Sequence, residues 1–425
     1  MQTLLAVDFA NVMRSIGSVL VAIVILLVMI TIHEFGHYVA GKILNFKITE
    51  FSIGFGPAIF KRRSKKSGEI FALRAVPLGG YCAFDGEDDY EDEQPKEAAK
   101  EVENTDEEPF AEWSEDPTQV SEETVDDGGM AENNEAAEEE YPEPKGERFN
   151  DQAPWKRIIV LISGALMNYL LGVLLLVIMF SAYGCVHSYV HYRGEGEAAV
   201  TSQQVLFDGD IVTKVNGKKI YLAADYGDIL VGKKAGDEVT LEVLRKDESG
   251  VRKAQTLTVK LLTDCNFKNM NDLTAAYTAF GLDEANYVYA NAVMKEGFFE
   301  TLGYSFVYSF KLAGLVLRSL GELITFKLGT DAIGGPVSTI QTTAQVALEG
   351  GLFSTLHIAA LIGVNLAVFN LLPIPALDGS KVVFCIIEWI RKKPVNRKVE
   401  TIIHFVGILF LLAFAILVDI LHFIS

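Results

Sequence analysis

The stretch TIHEFGHYVAGK places His33 and His37 four residues apart with Glu34 between them, the residue types of a metal site with a base at its side. On a helix, two histidines at that spacing project from one face, one turn above the other, so both imidazoles can reach a single ion. Glu34 then lies about 100° around the helix from His33, where it can reach water held by the ion without binding the ion itself. Zinc fits this set best, because three protein ligands and an open position lower the pKa of water to about 7, within reach of a neighbouring carboxylate. The five-residue pattern also arises by chance in soluble helices. Its weight comes from its position at the end of an apolar run, since ionisable groups in lipid are costly without a partner.

A third ligand is required, and NLLPIPALDG offers Asp378, which follows Pro373 and Pro375 in a stretch nearly free of other charge. Irregular backbone at membrane depth is tolerated where it is buried in protein or lines a wet cavity. A turn-forming Asp-Gly at a helix end is the competing reading. The other histidines, His187, His191, His357, His404 and His422, lack a pairing motif and read as interfacial or packed residues. Cys82, Cys185, Cys265 and Cys385 show no C-x-x-C spacing, which argues against a thiolate zinc site. A Cys185–Cys265 disulfide is the one pairing the topology allows.

The elements that must position these residues are spans of a membrane. Apolar runs of about 20 residues, the length a bilayer core needs, are read at Ile16–Ile32, Ile158–Tyr183, Leu356–Leu372 and Thr401–Leu421. The first lacks a cleavage site after it and reads as a retained helix. A further run, Phe298–Leu320, is interrupted by Lys311 and Arg318 and reads as an amphipathic helix along a surface. Lys and Arg cluster after the first span, before the second and between the last two, which puts those loops in the cytoplasm and both termini outside. His33, His37 and Asp378 then reach the same side; a fifth span would separate them. From about 186 to 298 the chain alternates like short strands joined by Asp-Gly and Asn-Gly turns, a small β-rich unit outside the membrane.

Charge is segregated. Between Asp85 and Glu147 stand 27 acidic residues and three lysines, a balance of −24, so the rest of the chain carries +5 of the total −19. That segment has too few apolar residues to offset its ordering entropy and reads as a disordered acidic loop. The low overall pI therefore belongs to one segment, and nothing in the sequence calls for a nucleic-acid partner.

In order, HEFGHYVAGK, FSIGFGP, PLGGY, SGALMNYLLG, GGPVS and NLLPIPALDG resemble the site-2 protease family of intramembrane zinc metalloproteases, in the bacterial branch that regulates sigma factors and carries an outer PDZ domain. The resemblance covers nearly the whole chain except the acidic segment. It implies a polytopic α-helical membrane protein of four transmembrane helices, with zinc held by His33, His37 and Asp378 and water activated by Glu34. It also implies a re-entrant β-hairpin from FSIGFGP to PLGGY, with Gly54, Gly56, Gly79 and Gly80, that pairs with unwound substrate. Asn370, Asn365 and Asn168 match positions associated with substrate handling. The implied substrates are transmembrane segments of other membrane proteins, anti-sigma factors or signal-peptide remnants, cut near the cytoplasmic face of a bacterial cell membrane. Two departures stand out: Gly379-Ser380-Lys381, where many relatives have two glycines and a histidine, and the length of the acidic segment.

The chain so read divides into a first span with the zinc motif (1–44), the hairpin (45–84), the acidic loop (85–150), the second span (151–184), a PDZ-like domain (185–265), a linker with the amphipathic helix (266–355), the third span with the aspartate motif (356–380), and a basic loop with the fourth span (381–425). A catalytically silent scaffold that binds partners through the PDZ-like domain is the main competitor, and retention of Glu34 beside both histidines argues against it. A metal transporter is a second, against which stands the lack of paired broken helices. The sequence leaves the oligomeric state open.

Overall fold

A computed structural model describes residues 9–87, 141–192, 205–265, 273–282, 287–325 and 335–424. Most of the segment read as a disordered acidic loop, 88–140, lies outside the described residues. From the N-terminus, α1 (Phe9–Ile43) leads into β1 (Ile48–Arg63) and β2 (Ile70–Phe84), and α2 (Pro154–Tyr183) follows. A β-rich unit comes next, with β3 (Cys185–Tyr192), β4 (Ile211–Val215), β5 (Lys218–Lys219), α3 (Ala224–Leu230), β6 (Glu238–Lys246), β7 (Arg252–Lys260), α4 (Leu273–Ala279) and β8 (Tyr287–Met294). The chain closes with α5 (Phe298–Ile324), α6 (Pro336–Asn370), α7 (Asp378–Arg391) and α8 (Arg397–Ile424).

Among the described residues four helices, α1, α2, α6 and α8, are long and apolar enough to cross a membrane. Their apolar side chains are largely uncovered by protein: Ile402, Phe405, Leu409 and Phe410 on α8 are all more than half exposed, as a lipid-facing helix requires. Small residues let the spans approach. A Cβ on Gly36 of α1 would stand 2.4 Å from the Ser163 carbonyl of α2, and one on Gly172 of α2 would stand 3.1 Å from the Ala360 carbonyl of α6. Apolar helices gain nothing by leaving lipid for each other, so close backbone packing of this kind is what associates them. Three basic stretches assigned to one side do meet at one end of the bundle, where Gln152 donates to the Asn45 carbonyl at 3.1 Å, Arg157 to Glu388 at 2.5 Å and Lys381 to Glu87 at 2.7 Å.

Two boundaries differ from the sequence reading. The third span does not start at 356: α6 begins at Pro336 and contains one non-helical residue, Gly351 at φ 64°. Its first turn is capped by Asp419 of α8, which accepts from the amides of Val337 at 3.1 Å and Ser338 at 3.2 Å. The β-rich unit does not end at 265. Its sheet runs β7-β6-β4-β3-β8, with β5 on β4, and β8 pairs with β3 from Cys185↔Met294 to Tyr192↔Tyr287. Phe280, just after α4, packs in the same core as Tyr226, Leu230, Leu241 and Cys265. The proposed Cys185–Cys265 disulfide is absent: both thiols are free, because Cys265 lies in that core while Cys185 packs with Phe180 and Tyr304 in another.

The amphipathic run is α5, and it is not among the four described helices long and apolar enough to cross a membrane. Its Tyr304, Tyr308 and Leu312 bury against Leu176, Met179 and Phe180 of α2, while Phe299 and Phe310 stay exposed. Lys311 and Arg318 on α5, which interrupted its apolar pattern, pair with Asp225 and Asp228 on α3 and so tie the β-rich unit to the helices.

The hairpin is more than a simple pair of strands. Bulges bend β1 and β2 so that Phe51 and Ser52 have partners on both sides, Cys82 and Tyr81 on one and Phe71 and Ala72 on the other. Gly54, at φ 85°, sits at the bend, where a Cβ would stand 2.7 Å from the Val76 carbonyl. The segment Gly80–Ala83 consequently forms an edge, paired among the described residues only on its β1 side.

Candidate metal centre

The helix α1 brings His33 and His37 to the C-terminal end of its apolar stretch, both buried. They face α2 across Gly164, where a Cβ would stand 2.4 Å from His37 Nε2 and 2.8 Å from His33 Cε1. Only a residue without a side chain leaves room there for two imidazoles. Asp378 arrives from the other direction, as the first residue of α7 rather than the end of the third span. A Cβ on Gly379 would come within 2.3 Å of the Leu372 carbonyl, and the turn is closed by Ser380, whose amide and Oγ both donate to the Leu377 carbonyl. Gly379-Ser380-Lys381 thus forms a closed turn, and Lys381 is directed to Glu87.

Three atoms able to ligate a metal converge. His33 Nε2 lies 2.9 Å from Asp378 Oδ2, His37 Nε2 lies 3.4 Å from it, and the two Nε2 atoms are 3.2 Å apart. Donors bound tetrahedrally at about 2.0–2.1 Å from one ion are about 3.3 Å apart, so this triangle has the size zinc needs. Among the described residues no other group of three such side chains is so gathered.

The surrounding hydrogen bonds set the tautomers in the same sense. His37 donates Nδ1–H to the Val160 carbonyl at 2.8 Å, which leaves the Nε2 lone pair for a metal. Asn168 has its amide 3.4 Å from His33 Nδ1, and its Oδ1 is buried without a partner. With the amide turned so that Oδ1 faces the ring, it accepts the Nδ1–H and frees His33 Nε2 likewise.

Beside the triad opens a cleft of about 240 Å³. Glu34 lines it without joining the triad. Gly79 and Gly80 of the hairpin edge border it too, and a Cβ on Gly80 would come 3.2 Å from Glu34 Cγ. Asn168 and Asn370 complete the polar lining, with the Asn370 amide 3.3 Å from His33 Nδ1. Asn365, Gly54 and Gly56 are not part of it: Asn365 is five residues from Asn370 and so on another face of α6, and the two glycines serve the hairpin bend.

Gly164, Val160 and the Ala376–His404 contact carry no clear signal in the sequence. His404 Nδ1 accepts the Ala376 amide at 3.2 Å and holds the segment leading to Asp378. Its sequence signal was a lone histidine near a span end. Gly164 was visible within SGALMN, but a glycine in an apolar helix does not announce which side chain will lie over it.

Residues 21–414 match the model of peptidase family M50. Over 436 residues the chain is 26% identical to a Bacillus subtilis protein named regulator of sigma-W protease RasP, covering 95% of this chain and 97% of the relative. It is 27% identical over 444 residues to a Bacillus licheniformis protein named zinc metalloprotease RasP, with coverage of 95% and 97%. A protein of the same name from Shouchella clausii is 27% identical over 425 residues, with coverage of 92% and 95%.

Proposed function

The chain belongs to peptidase family M50, the site-2 proteases, and is a zinc metalloprotease with four helices able to cross a membrane; from that premise we propose that it cuts membrane-spanning segments of other proteins. The observation that carries this reading is the placement of His33, His37, Asp378 and Glu34 beside a strand edge, toward the C-terminal end of an apolar helix.

In this reading His33 Nε2, His37 Nε2 and an Asp378 carboxylate oxygen hold the ion. Zinc supplies Lewis acidity there, polarising a peptide carbonyl and acidifying water. Glu34 takes a proton from the attacking water as its oxygen bonds to the peptide carbon, and delivers it to the departing nitrogen as the C–N bond breaks. A helical substrate hides its peptide bonds within its own hydrogen-bond ladder and must unwind first. The edge at Gly80–Ala83 can take up the freed backbone groups by strand addition, and the side-chain amides of Asn168 and Asn370 can serve others. The missing side chains at Gly79 and Gly80 allow substrate backbone to lie close to Glu34.

The end of the bundle carrying the basic clusters is the cytoplasmic one by the positive-inside rule, which puts the centre near that face and the β-rich unit outside. The hairpin then re-enters the membrane region from the cytoplasmic side. We read the β-rich unit as PDZ-like, screening the size or the trimmed end of substrates such as anti-sigma factors or signal-peptide remnants. The acidic segment, leaving near Glu87 beside Lys381, is proposed to restrict entry; its deletion should change cleavage rate or substrate choice.

The test is to incubate purified chain with a model transmembrane protein in bilayers and map the product ends by mass spectrometry. Cuts within the apolar segment, lost in Glu34→Gln, are expected. Cuts confined to flanking loops, or unaffected by Glu34→Gln, would overturn the proposal.

A further inference from the structure

A second cavity, of about 260 Å³, lies where the start of α2 meets α7 and α8. Its wall presents donors with nothing to donate to. Arg157 is 4% exposed; its Nη2 donates to Glu388 Oε2, but Nε and Nη1 are buried without a partner among the described residues. His404 Nδ1 accepts from Ala376, so the ring proton is on Nε2, which is also buried and unpartnered. Two carboxylates, Glu87 and Glu400, also line the cavity, but each is paired with a cation of the same wall, and Glu388 beside it is engaged as well. Glu388 Oε1 accepts the Val395 amide at 2.9 Å and lies 3.1 Å from Arg397, Glu400 pairs with Arg397 at 2.7 Å, and Glu87 pairs with Lys381.

Each buried donor left empty costs about 1–3 kcal/mol, so an acceptor-rich occupant would be held firmly. Lys381 and Arg397 line the cavity with Arg157, three cations against the two carboxylates Glu87 and Glu400, and Arg391, Lys392, Lys393 and Lys398, close to Glu388 and Arg397 in sequence, are exposed; this excess of positive charge favours an anion over water as that occupant. Thr401 and Ile408 of α8 line the cavity, and beyond them the same helix exposes Ile402, Phe405 and Leu409. Donors at the end of a span beside uncovered apolar surface suit a phosphate group with acyl chains attached.

We propose that this cavity binds a phosphate-bearing anion, supplied as the headgroup of an acidic phospholipid whose chains lie along α8. Ala376 lines both this cavity and the catalytic cleft, two residues before Asp378, so the occupant adjoins the segment that presents the third ligand.

The full chain, delipidated in detergent, is titrated with phosphatidylglycerol, phosphatidylcholine and inorganic phosphate, and bound species are counted by native mass spectrometry. Binding rather than cleavage is read, so the result is independent of the protease reading. Arg157→Lys keeps a cation for Glu388 but removes the two idle N–H groups; Thr401→Phe fills the cavity from α8 and leaves Arg157 intact. One phosphatidylglycerol per chain, bound at least tenfold tighter than phosphatidylcholine and weakened about tenfold in both variants, is the expected result. Inorganic phosphate binding with the same sensitivity, and no preference for phosphatidylglycerol, would keep the phosphate site and make its source soluble. Equal binding of both lipids, or binding untouched by both variants, would overturn the proposal and leave the cavity to water.

Discussion

Replacing Gly164 by alanine tests whether the metal centre depends on the crossing of α1 and α2. The added Cβ would lie 2.4 Å from His37 Nε2 and 2.8 Å from His33 Cε1, against an ordinary contact limit near 3.4 Å. The overlap with His37 is therefore about 1 Å. The ring cannot swing away without giving up its hydrogen bond to the Val160 carbonyl, and the helices cannot part while Gly36 packs on Ser163. Metal sites tolerate about 0.2 Å in ligand distance, and a 1 Å misplacement costs catalysis on the order of 100-fold. Gly164→Ala should thus lose on the order of 100-fold in cleavage, about 2.7 kcal/mol, and weaken zinc on the order of 10- to 100-fold in chelator competition. Gly172→Ala, whose Cβ would approach Val364 at 3.0 Å on the same helix but away from the metal, controls for altered helix packing. Zinc affinity and cleavage within twofold of the parent in Gly164→Ala would refute the reasoning.

Gly80→Val should block the space between the hairpin edge and Glu34, where even a Cβ reaches 3.2 Å; cleavage of a transmembrane substrate should fall at least tenfold while zinc content is unchanged. Asp419→Ala removes the acceptor for the Val337 and Ser338 amides, and a lost cap costs about 1 kcal/mol, read as a lower unfolding temperature in detergent. In the β-rich unit, hydrogen bonds from Ser249 and Lys253 hold the Asp247 carboxyl down at about 2. Its folded pKa is below the unfolded value of about 3.9, so its contribution is present above that value and is lost as pH falls toward 2. Asp247→Asn should flatten that part of the acid limb in hydrogen-exchange protection of β6 and β7; an unchanged limb would assign acid lability elsewhere.

The metal motif was legible because i,i+4 spacing on a helix fixes geometry locally, and the four spans because apolar length is a one-dimensional property. The meeting of Asp378 with His33 and His37 was legible through topology: the parity of four spans brings the three to one side, and α5, left out of that count, is not among the described helices long and apolar enough to cross. Longer-range facts were not. That β8 returns to β3 across more than 90 residues depends on a pairing no local pattern records. The start of α6 at Pro336 was hidden because Gly350 and Gly351 interrupt the apolar run, while Asp419, which caps it, lies 81 residues from Ser338. The free Cys185 and Cys265 make the same point, since assignment to one side of a membrane does not place two thiols in one core.

The central claim is that His33, His37 and Asp378 bind zinc while Glu34 does chemistry without binding it. Metal content and cleavage measured together on purified parent, Glu34→Gln and Asp378→Ala test it most directly. The account predicts about one zinc per chain in the parent, the same in Glu34→Gln with cleavage lost, and weakened zinc in Asp378→Ala. Zinc lost from Glu34→Gln as readily as from Asp378→Ala, or cleavage persisting without Glu34, would contradict it.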